Sequence, residues 1–477
     1  MTISEPWVRR RTPRNFIRAL VFASVVIGHS PLPVVYKDVA ILGGGASGTY
    51  AAVRLREDYG KSVFLIEKEA VLGGHVNTYS DPETNGAFNY GVQSYIDYKG
   101  ARAFFERFGI PLQSSVLYSS NTTLVDSITG KPANVPTPPP LNSPAAVAAL
   151  EKYYGVILPW NDFLLPGYWN FPPGDQIPTD LLLPFRDFVA KYGIADMAYI
   201  LNIVSGQDIN STKPTLYVVK NFGTPVVEGF LNNTFFDPAP FDLSLLYGDA
   251  EQLLGDDVVL TSTVLEASRL DYGVRLVVEN LQTGAKTLVL AKRLLVASPP
   301  SIDNLAVFGL DEQEKAVFNT WSFGTGYTAV LKTNLIPDNT SVAFITSGNE
   351  TQSPSSFSAT WNGVSEYFWI IFGSSEKLST EEAKDVIVGE MQTLYAGGSF
   401  PPIDDSTPSS EVVAISNHSQ VEWGQSVEQL QAGFIQDLYA LQGHKSTWYT
   451  GGLWCPDYSS NVWAFTDTVL PKLLENI

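Results

Sequence analysis

One cysteine in 477 residues, Cys455, excludes an intramolecular disulfide and any cluster of cysteine ligands. Four histidines add little from which to build a metal site, and no metal is expected. Positive charge is scarce as well: 30 Lys and Arg stand against 49 Asp and Glu, a formal net charge of -19. Such a surface repels polyphosphate and anionic lipid, so nucleic acid is not expected as a partner. What the chain does have is apolar bulk, 44% hydrophobic residues against 17% charged. That excludes a disordered or fibrous chain and supplies a large core, expected to be shared by two domains.

The basic residues that exist are concentrated at the start, where Arg9, Arg10, Arg11, Arg14 and Arg18 precede the apolar run 19–28. A run of that length cannot span ~30 Å of hydrocarbon, and Pro31 and Pro33 end it. Gly28 and Ser30 are small enough to flank a cleavage site. Residues 1–30 therefore read as a removable secretory signal, with no stable membrane anchor and a secreted destination. Six Asn-x-Ser/Thr sequons, at Asn121, Asn210, Asn232, Asn339, Asn349 and Asn417, add a mild expectation of glycosylation.

The chemistry starts at residue 38. An apolar run of strand length, 38–42, leads straight into Gly43-Gly44-Gly45-Ala46-Ser47-Gly48, and small and apolar residues at helical spacing follow over 46–58. A second strand pattern, 62–66, ends at Glu67, nineteen residues after Gly48. In a strand–turn–helix–strand unit each glycine has a separate task. Gly43 permits the tight turn, Gly45 lets backbone amides approach a pyrophosphate beside Ala46 and Ser47 at the helix N-terminus, and Gly48 lets helix and strand pack closely. Glu67, with Lys68 behind it, would accept hydrogen bonds from an adenosine ribose and repel a 2'-phosphate.

Directly after this acid comes Leu72-Gly73-Gly74-His75-Val76-Asn77-Thr78, and then Asn89-Tyr90-Gly91-Val92-Gln93-Ser94-Tyr95. Here the chain resembles the flavin-containing amine oxidoreductase superfamily. The resemblance implies FAD as cofactor, with Gly73 and Gly74 against its pyrophosphate and Gly91, Gln93 and Ser94 near the flavin ring. Val71 and His75 stand where many members carry arginine, so backbone amides have more of the diphosphate charge to meet. Further along, the resemblance puts Val264 near the adenine, Gly451 and Gly452 at the flavin and ribityl chain, and Asn461 and Val462 at a helix start facing the phosphates. The expected fold class is α/β: a discontinuous Rossmann-type FAD-binding domain (36–110, 240–312 and 420–477) with an inserted α+β substrate-binding domain (111–239 and 313–419).

A second nucleotide motif would signal reduction by NAD(P)H, and Gly324 to Ala329 supplies a nominal G-x-G-x-x-A. No strand pattern precedes it and no helix pattern opens on it, so it reads as a glycine turn before a strand at Ala329 to Thr333. Electrons are then expected from an organic substrate, with molecular oxygen a possible acceptor. Many amine oxidases of the superfamily place a lysine near flavin N5; here that place holds Tyr327, with Lys332 further on, which argues against simple primary-amine oxidation. Tyr95, Tyr327, Trp448 and Tyr449 are the ring-facing candidates. If the flavin is covalently tethered, the candidate residues are Cys455, His75, His418 and His444. Within the superfamily the chain is similar to the fungal beta-cyclopiazonate dehydrogenase type, which implies oxidation of an indole-bearing small-molecule intermediate. A desaturase or isomerase of an apolar substrate would share these motifs, as would a non-enzymatic FAD carrier.

Overall fold

A computed structural model describes residues 32–83, 86–115, 121–134, 139, 142–239, 241–345, 356–400 and 407–477. The signal-like segment 1–30 and the sequon at Asn349 lie outside the described residues. The other five sequon asparagines are all exposed. No described helix is long and apolar enough to cross a membrane.

The main sheet is centred on the strand Val34–Leu42, which pairs in parallel with Val63–Ile66 on one side and Lys286–Val296 on the other. All four residues of Val63–Ile66 are buried, as expected of a strand covered on both faces. Val258–Val259 extends the sheet beyond Val63–Ile66, and Gly273–Asn280 and Ser262–Leu270 continue it as an antiparallel meander on the far side. The last contribution comes from near the C-terminus: Thr447–Tyr449 pairs in parallel with Leu294 to Val296. Four parallel strands therefore end along one rim, at Leu42, Ile66, Val296 and Tyr449. Their ends are laced together by Gly43 N–H to Ile66 O (2.9 Å), Ala297 N–H to Leu42 O (2.8 Å) and Thr450 N–H to Val296 O (3.0 Å). In open α/β sheets the crevice outside such carboxyl ends is where ligands bind.

Two helices flank that rim. The helix Ala46–Val53 leaves the glycine loop and packs against Ser459–Leu473, with Trp463 Nε1–H donating to Ala46 O at 3.1 Å and the Trp463 ring stacked on Tyr50. First and last segments of the nucleotide unit are thereby joined.

A second, six-stranded sheet runs in the order Ser410–Gly424, Ser322–Thr333, Tyr367–Ser374, Ser356–Trp361, Thr340–Ile345, Asn121–Asp126. Side chains alternate across it with period two. One face, carrying Tyr327, Ala329 and Leu331, packs under Ala383, Ile387, Met391 and Leu394 of the helix Thr380–Gly397. The other face, with Val330 and Tyr367, packs on Phe88 of the nucleotide unit. The strand Ser410–Gly424 runs through the 419/420 domain boundary drawn from sequence. The glycines at 324 and 326 lie inside a twelve-residue strand, so the segment is neither a turn nor the start of a helix; register shifts at Ser322/Gly324 and Gly324/Thr325 mark where they bend it. Helices between residues 144 and 232 pack into the main core beside both sheets.

Glu390 on the helix Thr380–Gly397 has a buried, unpartnered Oε2, and burial pushes its carboxyl up to about 7. The folded chain therefore binds more protons than the unfolded chain between 4.5 and about 7, and stability falls as pH rises through that window. Calorimetry across it should show the melting temperature of Glu390→Gln falling less steeply than that of the wild type. Parallel curves would refute the assignment.

Candidate functional site

The glycine loop is shaped by contacts that leave no room for side chains. A Cβ on Gly48 would fall inside the van der Waals radius of the Gly43 carbonyl oxygen, and Gly43 itself has φ +100° with Ser298 N 3.1 Å from where its Cβ would be. Thr49 ties the loop down, its Oγ1 donating to Gly44 O at 2.8 Å and its amide to Gly45 O at 3.0 Å. Glu67 is buried at the end of its strand, where its carboxylate accepts from Gly44 N–H (2.6 Å) and Glu69 N–H (2.8 Å). Ser262 N–H donates to Glu67 O at 2.8 Å, so the segment entering the strand Ser262–Leu270 runs beside the acid. Val264 is buried in the main core at an irregular point of that strand, and Lys68 is exposed, reaching only Glu69.

The facing wall is the second glycine doublet. Gly45 and Gly73 form an isolated parallel bridge, and a Cβ on Gly74 would lie 2.9 Å from Gly45 Cα. Two glycine backbones in direct contact leave amides, not side chains, lining the crevice. Gly91 crosses the His75 carbonyl too closely for any Cβ, which locks the 89–95 loop against the doublet. Gln93 turns back to Asn89 O (2.9 Å), and Ser94 bonds Ser115. His75 stacks on His418 with centroids 4.2 Å apart, and Asn77 Nδ2 lies 3.1 Å from His418 Nε2. Burial lowers the pKa of both imidazoles, with Asp457 opposing it and Lys68 reinforcing it at His75. Both rings are neutral at pH 7, so His75 does not replace the positive charge of an arginine.

The third wall is the C-terminal turn. Gly451, at φ +112°, has its Cβ position 3.6 Å from Ser47 Oγ, and Gly452 packs against the Asp457 carboxylate. The helix behind it starts at Ser459, two residues before the expected place. The Val462 amide is therefore engaged, donating to Tyr458 O at 2.8 Å. Asn461 lies in the first turn, where no acidic residue competes, and its buried Oδ1 has no hydrogen-bond partner among the described residues.

The four predicted ring-facing aromatics have these surroundings. Tyr327 points to the other face of its sheet, stacked on Phe372 at 4.8 Å and hydrogen-bonded to the backbone of Leu378. Tyr95 is enclosed by Phe105, Phe236 and Trp463. Tyr449 stacks on Trp454 and donates to Glu314 Oε1 at 3.2 Å, within a buried cluster, and Trp448 lies over the turn at Gly443. Thr328 and Lys332 of the 322–333 strand share the Val330 face, and the buried Oγ1 of Thr328 has no hydrogen-bond partner among the described residues. Two tether candidates are also engaged elsewhere. The buried Cys455 thiol donates towards Gly451 O, and burial pushes its pKa well up, so no thiolate forms; His444 Nε2 bonds Asp311 at 2.6 Å. Asp311, Glu314 and His444 bring ligating atoms within 4.8 Å of one another, but Arg269 and Lys445 already neutralise the two carboxylates.

The glycine-lined crevice, the buried acid at the second strand and two helix N-termini fit a dinucleotide whose diphosphate is met by amides. Residues 41–108 match the NAD(P)-binding Rossmann-like domain. Beta-cyclopiazonate dehydrogenase of Aspergillus oryzae is 31% identical over 96% of this chain and 97% of its own length. The FAD-dependent oxidoreductase pigF of Monascus ruber is 32% identical over 94% of each chain. This chain belongs to that family of FAD-dependent oxidoreductases. A fatty acid isomerase from P. acnes has the same fold, with TM-score 0.70 over 92% of this chain and 99% of its own at 15% identity. In this FAD enzyme the residues that would hold the cofactor are Gly43 to Gly48, Glu67, Gly73, Gly74 and the start of the helix Ser459–Leu473.

Sequence reasoning missed one feature beside that cradle. Leu453, two residues after Gly451, lines a narrow cavity of ≈10 Å³, room for about one water molecule. Its other walls include Phe171, Trp321 and Trp423, and Lys220, which is 7% exposed. Nothing local marks the burial of Lys220, which lies on the short helix Thr215–Asn221.

Proposed function

We propose that the enzyme oxidises an apolar, ring-bearing intermediate of fungal secondary metabolism, nitrogen-containing or indole-bearing, by loss of a hydride from a C–H bond. The observation that carries this reading is the likeness along almost the whole chain to beta-cyclopiazonate dehydrogenase of Aspergillus oryzae, 31% identical over 96% of it. FAD, when bound, supplies the hydride acceptor. The chain's task is to hold the substrate C–H in place and exclude water. The amide-lined crevice between Gly45, Gly73 and Gly74 would orient the dinucleotide.

Among the described residues no second dinucleotide-binding loop follows a strand, which favours electrons entering from the substrate. In anaerobic mixing, an indole-bearing or related aromatic intermediate should bleach the bound flavin within about a second at typical turnover of ~10 per second. NADPH should not. Rapid reduction by NADPH with no bleaching by any organic substrate would overturn the proposal. Unchanged flavin absorbance with rearranged product would instead identify an isomerase.

A further inference from the structure

The rim of the main sheet fixes which end of the crevice takes the ring half of FAD. Its parallel strands lie side by side in the order Val63–Ile66, Val34–Leu42, Lys286–Val296, Thr447–Tyr449. That is three strand spacings, roughly 14 Å. With the ribose at Glu67 and the diphosphate at the glycine loop, the flavin falls at the fourth strand, over Gly451 and Gly452.

At that end stands Asp457. Its Oδ2 lies 2.9 Å from where a Gly452 Cβ would be, so the carboxylate crosses the backbone of the turn, and the side chain keeps an open surface. It makes no hydrogen bond or ion pair among the described residues. Its charge reaches His75 on the doublet wall, Lys220 and Tyr168 in the 144–232 region, and Cys455 and Tyr458 on its own turn. A carboxylate within reach of all three walls, and open on the side that none of them covers, faces the crevice itself. Neighbouring cations do little to cancel it. Burial lowers the pKa of His75, His418 and Lys220, with Asp457 opposing that shift at His75 and Lys220.

Hydride transfer to a flavin puts negative charge on its ring, and a fixed charge beside the ring shifts that equilibrium. We propose that Asp457 sets the redox poise of the bound flavin, its carboxylate disfavouring anionic forms of the ring and so holding the potential down. It is a tuning group, and no proton or electron is assigned to it. The inference rests on FAD lying along the rim in the order given above, not on which substrate is oxidised.

The test needs no substrate. Sulfite adds to the ring of oxidised flavin, leaves it negatively charged and bleaches its visible absorbance, so titrating FAD-loaded enzyme with sulfite reads the field at the ring. Asp457→Asn keeps the size of the side chain and removes the charge. It should bind sulfite about tenfold or more tightly than wild type, and its midpoint potential, read against reference dyes, should rise by the ~30 mV that tenfold represents for a two-electron couple. Asp457→Ser should follow it, while Asp457→Glu should stay within about threefold of wild type. Unchanged sulfite affinity and potential in both neutral variants overturn the proposal, as does an Asp457→Glu protein that shifts as far as they do. Loss of flavin from both neutral variants would make the carboxylate a cofactor-holding group instead, and overturns it too. The oxidase reading fails separately: an enzyme that passes this test but is reduced by no organic substrate refutes that reading and leaves Asp457 in its role.

Discussion

Gly48→Ala should purify as a folded but nearly colourless protein. The new Cβ would overlap the Gly43 carbonyl oxygen and lie 3.1 Å from Ala297 Cβ, so the first helix must move off the sheet or the loop must open. The loop has nowhere to retreat, because Gly43 is itself held against Ser298 and Thr49 clamps Gly44 and Gly45 from inside. Either movement displaces the amides that meet the diphosphate. Flavin content after gel filtration should fall from about one per chain to about a tenth or less, a loss of ~1.4 kcal/mol or more in binding. Gly389→Ala is the control: its Cβ would meet nothing within 4 Å, and it replaces a mid-helix glycine. It should keep its flavin and gain up to ~1 kcal/mol of stability. A yellow Gly48→Ala protein with normal stoichiometry would show that the close packing of helix and strand is dispensable.

Glu314→Ala should be among the most destabilising single substitutions in the chain. Glu314 and Arg269 form a two-pronged ion pair at 2.6 and 2.7 Å, with both side chains almost wholly buried. Tyr449 donates to the same carboxylate, as does the Asp311 amide. Removing the acid leaves a buried guanidinium without its counter-ion, at a cost of ~3 to 5 kcal/mol. Urea denaturation should show that loss, and Arg269→Met combined with Glu314→Leu should recover most of it. A single mutant within ~1 kcal/mol of wild type would refute the assignment. Burial opposes ionisation of Glu314, but Arg269 and the Asp311 amide outweigh it and hold the carboxyl below 4.5. The pair therefore stabilises the fold above that value and is lost as pH falls through the lowered pKa. Tyr449 lies two residues before Gly451, so the same variant should also loosen the flavin-side turn.

What could be read from sequence was whatever is determined within a few residues. The requirement for glycine at 43 and 48 comes from backbone contacts inside one turn, and Glu67 is placed by the length of one helix and two strands. The surroundings of the aromatic candidates are set by contacts distant in sequence. Tyr327 and Thr328 are neighbours on opposite faces of one strand, and only its register in the six-stranded sheet decides which face meets the nucleotide unit. Tyr449 is turned inward by Glu314, a residue 135 positions away. Lys220 lines a cavity with Leu453, and the next residue, Asn221, accepts from Tyr458, both partners more than two hundred residues later in the chain. The helix start at Ser459 was misplaced by two residues because neither Tyr458 nor Ser459 supplies a side-chain cap to mark it.

The rim of the main sheet is assembled from strands ending at Leu42, Ile66, Val296 and Tyr449, and this sets a timetable for biosynthesis. At ~5 to 20 residues per second, the ribosome delivers Thr447–Tyr449 and the final helix about 20 to 80 s after the glycine loop. Throughout that interval the nascent loop faces a half-built crevice and cannot retain a dinucleotide. The six-stranded sheet and the helices of 144–232 are complete before the cradle closes. A complete FAD crevice is therefore expected only after the final helix has been synthesised.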